Sequence, residues 1–240
     1  MKLHLSQLGI ASFSLLAFVA ACGATGASDL SSSSHAASAP SLGAASSFAV
    51  LGASTVTCAN SSAITGDVGV SPGTGMTGFP ALCTVDGALH AGDPAADQAH
   101  ADLGIAYRAA KGTVCEHDLT GQDLGGQTLA PGVYCVDTSV GLTGDVTLDG
   151  GGDSNAAWIF QIGSTLTTAT GSSVIMSGGG VPGNVFWAVG SSATIGTGTA
   201  MQGNVVAFAS ITLTSGSTVV GRALAVNAAV TMDHNVVTVP

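Results

Sequence analysis

Residues 183–237 settle the fold when written as three lines: GNVFWAVGSSATIGTGTAMQ (183–202), GNVVAFASITLTSGSTVV (203–220) and GRALAVNAAVTMDHNVV (221–237). Each line opens on glycine and a polar residue, and the glycines stand 20 and then 18 residues apart. A short apolar strand follows each opening: Val185–Val189, Val205–Phe208, Ala223–Val226. A second strand comes next: Ala193-Thr194-Ile195-Gly196, Ile211-Thr212-Leu213-Thr214, Val230-Thr231-Met232-Asp233. A third, shorter strand carries Met201, Val219 and Val236. Self-similarity at this period is the mark of a solenoid whose repeats bury a core only by stacking. Three short strands per coil predict a parallel β-helix of triangular section.

The pattern extends toward the N-terminus. Trp158–Ile162 and Leu166-Thr167-Thr168-Ala169 read as one coil earlier, with Val174 as its third strand. Gly66-Asp67-Val68 and Gly144-Asp145-Val146 repeat the glycine opening. Successive side chains of a strand point to opposite faces. If Leu166, Ala193, Ile211 and Val230 point inward, so do Ile195, Leu213 and Met232, with Thr168 the one polar misfit. Thr167, Thr194, Thr212 and Thr231 then form an outward file, flanked by Ala169, Gly196 and Thr214. Thr55 and Thr57 have the matching phase near the start of the domain.

Composition agrees with this reading and removes other classes. Of 240 residues, 46% are apolar, 8% charged and 35 are glycine, the reverse of a disordered chain. The formal charge is −10, and beyond Lys2 the only basic residues are Arg108, Lys111 and Arg222. Three cations cannot neutralise a run of phosphates, so nucleic acid is not a partner, and anionic lipid headgroups are disfavoured too.

Residues 1–22 read as an export signal: Lys2, then an apolar run from Leu8 to Ala21 that is short for a membrane span. Its end, Val19-Ala20-Ala21-Cys22, is similar to a bacterial lipobox, with Cys22 as the lipidated residue. Membrane contact is expected only through that lipid, on an outer-membrane or cell-surface lipoprotein; the alternative is plain secretion. The stretch 23–41, rich in Ser and Ala, reads as a flexible tether, and 42–240 as the folded domain. Cys58, Cys83, Cys115 and Cys135 remain, an even number that suggests disulfides in an exported protein. Three pairings exist; Cys58–Cys83 with Cys115–Cys135 is favoured because each closes a short local loop. No pair has the Cys-x-x-Cys spacing of structural zinc.

One helix is expected over about 93–111. Asp93 can cap it, Pro94 suits its first position, and Lys111 and Arg108 suit its last turn before Gly112. Ala96, Ala99, Leu103, Ala106 and Ala110 form one apolar stripe, small enough to lie close against a wall of strands.

From about Leu42 onward the chain resembles the microbial ice-binding (antifreeze) protein family with a discontinuous right-handed β-helix. The segments that carry the resemblance are Leu51–Thr57, Gly66–Gly73, Leu119–Gly126, Leu129–Cys135 and Phe160–Leu166. The resemblance implies a helix packed along one solenoid face and an N-terminal coil separated in sequence from its spatial neighbours. It also implies a cap of about 72–88, which Cys58–Cys83 would clamp, and a flat face that binds ice. It adds a Thr-Gly-x-Thr-like signature, partly kept in Thr197-Gly198-Thr199-Ala200 and Ser215-Gly216-Ser217-Thr218. Thr197, Thr199, Ser215 and Ser217 therefore join the candidate ice-binding residues, while Asp233 and His234 interrupt the threonine face. The expected partner is an ice crystal surface, met by a monomer without metal or organic cofactor.

Two rivals are weighed against it. An enzyme of the β-helix type needs carboxylates facing across a sugar, or basic residues beside an acidic substrate. Asp145, Asp149 and Asp153 are candidates for that role or for calcium, and they sit at four-residue steps in a glycine-rich turn without the bidentate Glu of a calcium loop. Solvated turn aspartates account for them. A structural or adhesive surface solenoid without ice activity is the second rival.

Overall fold

The computed structural model describes residues 38–240. Cys22, the leader and most of the expected tether lie outside the described residues.

The chain winds into a parallel β-solenoid with three faces. On one face, Val140–Leu142, Leu166–Thr168, Ala193–Ile195, Ile211–Leu213, Val230–Met232, Thr55–Cys58 and Gly75–Thr77 stack in that order. The face under the helix runs from Gly132–Val136 through Trp158–Ile162, Val185–Val189 and the later halves of Ala200–Ala207 and Thr218–Ala225. Phe48–Gly52, Asp67–Val70 and Leu89–Ala91 continue it. The third face holds Asp145–Asp149, Ser173–Ser177, the early halves of the same two long strands, Val236–Thr238, Ala63–Thr65 and Thr84–Asp86.

The stacking order departs from chain order at one place. Val50 pairs with Ala223, Thr57 with Thr231 and Ala63 with Val236, so the first coil docks on the last. Beyond it, Gly75–Thr77 and Thr84–Asp86 add one strand each to the other two faces, and Asp67–Val70 with Leu89–Ala91 adds two to the face under the helix. The structure joins Cys58 to Cys83 there, and Cys115 to Cys135 at the helix exit, with Cα–Cα distances of 6.4 and 5.9 Å.

The interior is filled by the inward alternate residues, among them Val140, Leu166, Ala193, Ile211, Val230 and Val56. An aromatic stack runs through it: Tyr134 on Phe160 at 5.4 Å and Phe160 on Trp187 at 4.0 Å. A second core lies under the helix Pro94–Gly112. Asp93 caps this helix by accepting from the Ala96 amide, and Ala99, Leu103, Ala106 and Ala110 pack on Leu51, Val133, Ile159, Phe186, Val206 and Leu224. His100, on the flank, places Nε2 2.7 Å from the Val226 carbonyl oxygen, as a helix-surface histidine holding a neighbouring corner.

The glycine openings have a steric cause. Gly203 and Gly221 pair at the corner that leads under the helix, and a Cβ on Gly221 would lie 1.9 Å from the Gly203 carbonyl oxygen. The polar residues after them turn into the wall: Arg222 donates to Asn204 Oδ1 and to the Ser46 carbonyl, and Asn204 donates to the carbonyls of Gly183 and Val185. Two alignments need correction. Gly144 belongs to a different corner, the one before the third face, where it has φ +83° and where the later coils turn at Gly171, Gly198 and Gly216, also with positive φ. In the last coil Val237 is the inward partner of Val219; Val236 pairs with Thr218 and is 46% exposed.

Candidate ice-binding face

The strands of the first-described face supply its geometry. Thr167 pairs with Thr194, Thr194 with Thr212, Thr212 with Thr231, Thr231 with Thr57, and Thr57 with Thr77. Six threonines therefore stand in one unbroken register, at a strand spacing of roughly 4.8 Å. Gly141 holds the next place, opposite Thr167. The wall has a second file two residues earlier in each strand: Ser139, Thr165, Ser192, Ser210, Ala229, Thr55 and Gly75. A third file, two residues later, contains Thr143, Ala169, Gly196, Thr214, Asp233 and Ala59. Alternate residues along a strand lie roughly 7 Å apart, so the three files form a two-dimensional lattice of small side chains.

The hydroxyls divide into two groups. At the rim most are engaged: Thr165 donates to Ser139 Oγ at 2.8 Å, the Ser192 and Ser210 hydroxyls are hydrogen-bonded to each other at 3.0 Å, Thr214 donates to the Ile195 carbonyl at 2.8 Å and Thr143 to Asp123 Oδ2 at 3.0 Å. The central hydroxyls of Thr57, Thr77, Thr167, Thr194, Thr212 and Thr231 make no hydrogen bond among the described residues, and all six side chains are exposed or half-buried. Their β-branched stems restrict χ1, so methyl and hydroxyl positions repeat from coil to coil.

Charge is confined to the edges of this wall. Asp233 accepts from Asn60 Nδ2 at 2.7 Å and meets His234 Nδ1 at 2.8 Å; the Asn60 hydrogen bond first, then His234, hold its carboxyl below the usual range. At the other end Asp123 arches over Gly141, where an added Cβ would stand 2.6 Å from Oδ2. Desolvation pushes the Asp123 carboxyl up, but the amides of Gly125 and Thr143 and the Thr143 hydroxyl outweigh it and the net shift is downward. Asp145, Asp149 and Asp153 are exposed, and among the described residues no three His, Cys, Asp or Glu side chains gather as a metal site.

Two candidate residues are corrected. Thr199 and Ser217 are fully buried, each following a positive-φ glycine that turns the next side chain into the solenoid. They cannot touch an external surface. Thr197 remains exposed and Ser215 half-buried at the corner beside Thr214. Conversely, Thr165, Ser192, Ser210 and Thr77 belong to the wall and were not among the candidates. The first three stand one alternation before Thr167, Thr194 and Thr212, a step of two that the pattern already contained. Thr77 lies in the cap, where no repeat marks its phase.

Residues 50–238 match the family model described as ice-binding-like. The chain belongs to the ice-binding-like family. An ice-binding protein of Nostoc sp. (strain HG1) is 52% identical over 87% of this chain and 77% of its own length. One from Colwellia sp. is 36% identical over 83% of each. The crystal structure of an ice-binding protein from the Antarctic ascomycete Antarctomyces psychrotrophicus superposes with a TM-score of 0.82 at 44% identity, covering 84% of this chain and 98% of that one. Another, from an Antarctic biological consortium, gives 0.80 at 45% identity over 83% and 90%. The ice-binding-like domain thus spans almost all of the described chain, threonine wall included.

Proposed function

We propose that this ice-binding-family protein adsorbs to ice crystals through the wall centred on Thr57, Thr231, Thr212, Thr194 and Thr167, and so inhibits ice growth and recrystallisation. The observation that carries the reading is the register of six threonines whose hydroxyls are unspent within the fold. Each offers a hydroxyl for hydrogen bonding and a methyl that resists full hydration. The lattice is stiff before binding, so little side-chain entropy is lost on contact. Water ordered over the wall merges with a crystal surface, and growth between bound molecules becomes curved and unfavourable. No single contact is strong, and the effect sums over the lattice. Nothing in this scheme needs a metal, an organic cofactor or a second protomer.

The test is Thr212→Tyr, at the middle of the file, with Thr194→Tyr as a second site. Both side chains point away from the core, so circular dichroism and melting temperature change little while freezing-point depression falls sharply. Survival of full activity in both variants would move the ice site off this wall.

The protein's place in the cell is part of the same proposal. Val19-Ala20-Ala21-Cys22 supports export with a diacylated Cys22, and two or more acyl chains give stable attachment where one is marginal. Mass spectrometry of the native N-terminus decides it; an unlipidated mature chain refutes the anchor and leaves the ice wall untouched.

A further inference from the structure

Among the described residues no helix packs over the solenoid's third face, and its side chains follow a rule of their own. Ala200, Thr218, Val236, Ala63 and Thr84 stand in one register, and Gln202, Val220, Thr238, Thr65 and Asp86 in the next. Between them Met201, Val219, Val237 and Ile64 are buried. In three consecutive strands the outward pair is one threonine and one apolar residue: Thr218 with Val220, Val236 with Thr238, Ala63 with Thr65. Val236 is 46% and Val220 36% exposed, although the helix that shields apolar side chains elsewhere packs on a different face. The charges lie at the two ends, Asp86 at the cap and Asp145 and Asp149 at the other.

These strands belong to the same coils as the threonine wall and therefore share its spacing. The two faces meet along one edge, where Thr197 and Thr214 stand 3.4 Å apart across the corner before the turn glycines Gly198 and Gly216. Five strands by two outward positions amount to an area on the order of 300 Å², well short of the roughly 800 Å² per partner that a stable protein interface buries. The patch is too small to hold another protein by itself. It is suited to a periodic partner that also engages the neighbouring wall.

We propose that the face centred on Thr218, Val220, Val236 and Thr238 is a second ice-contacting surface, which engages a different crystal plane from the threonine wall; it rests on the reading of that wall as an ice site. The experiment uses the fluorescently labelled full chain adsorbed to a single-crystal ice hemisphere. Wild type is expected to decorate two families of planes. Val220→Lys, and independently Val236→Lys, is expected to erase one family and keep the other, with unchanged circular dichroism. Thr212→Tyr is expected to do the converse.

A wild-type pattern of one family, or two families that survive both lysine variants, overturns the second surface. So does sedimentation showing copies paired through this face and separated by Val220→Lys. If instead Thr212→Tyr erases nothing while Val220→Lys erases a family, the wall reading fails and the second surface stands.

Discussion

Thr168 and Thr199 meet hydroxyl to hydroxyl at 2.8 Å inside the solenoid. The Gly196 amide donates to Thr168 Oγ1 at 2.7 Å, and the Thr199 hydroxyl reaches the Ala169 carbonyl at 3.2 Å. The pair explains why a threonine interrupts the inward apolar file, since its hydroxyl is satisfied within the corner. Thr168→Val leaves the Gly196 amide without its acceptor and takes the Thr168 hydroxyl from Thr199, which keeps only the Ala169 carbonyl, a loss of about 1–3 kcal/mol. The melting temperature should fall by about 2–4 °C per kcal/mol, with plane-selective ice adsorption intact. The double variant with Thr199→Val should cost less than the sum of the singles, because the two share one bond. Additive losses would show that the hydroxyls act independently.

The same pair marks what sequence could and could not reveal. The outward phase of Thr167, Thr194, Thr212 and Thr231 follows from alternation within one strand, a local rule, and the register keeps it across six coils. The corner residues obey no such rule. Thr197 and Thr199 differ only by a two-residue step, yet Gly198, with φ +66°, breaks the alternation and sends Thr199 inward, where it is fully buried. Thr77 is placed by pairing with Thr57 across the non-repeating cap, and the docking of the first coil on the last depends on contacts between segments more than 150 residues apart, such as Thr57 with Thr231. Local pattern carries no trace of these; for the docking, only family resemblance supplied the expectation.

His234 is the one non-glycine residue with positive φ among the described residues, at +54°. Gly171, Gly198 and Gly216 hold the corresponding corner in the coils before it. A side chain in the left-handed region costs roughly 1–2 kcal/mol, while the exposed His234–Asp233 pair contributes little. His234→Gly should therefore stabilise the protein by about 1 kcal/mol, raising the melting temperature by about 2–4 °C. A lower melting temperature would mean that the imidazole's bond to Asp233 outweighs the backbone strain.

Acid should loosen both the helix start and the wall's edge. The Ala96 amide, followed by His90, holds the Asp93 carboxyl below its ordinary value of 3.8, and Thr120 does the same for Asp118. Asp233 is lowered by Asn60 and His234. A carboxyl whose folded pKa is depressed contributes stability that is present above the unfolded value and lost as pH falls through the folded one. The melting temperature should hold through neutral and weakly acidic pH and drop below the ordinary 3.8. Asp93→Asn keeps an accepting cap oxygen but does not titrate, so its acid limb should be shallower than wild type. An identical limb in the variant would exclude Asp93 from the effect.

The threonine file ends at Gly141, and the reason lies in Asp123 rather than in the strand. Gly141 pairs with Thr167 in register, so a threonine there would continue the file by one lattice step. The space is taken: its Cβ would stand 2.6 Å from Asp123 Oδ2, whose carboxylate also accepts from the Gly125 and Thr143 amides and the Thr143 hydroxyl. Gly141→Thr alone must push that carboxylate off its donors, so it should lower the melting temperature without strengthening ice binding. Paired with Asp123→Ser, which shortens the intruding side chain and keeps an acceptor for the turn, the new threonine has room and the wall loses a charge from its end. The double variant should then show greater freezing-point depression than wild type at equal concentration, with melting temperature partly restored over Gly141→Thr. If the double variant is as well folded as wild type and its activity does not rise, the number of threonines in the file is not what limits adsorption.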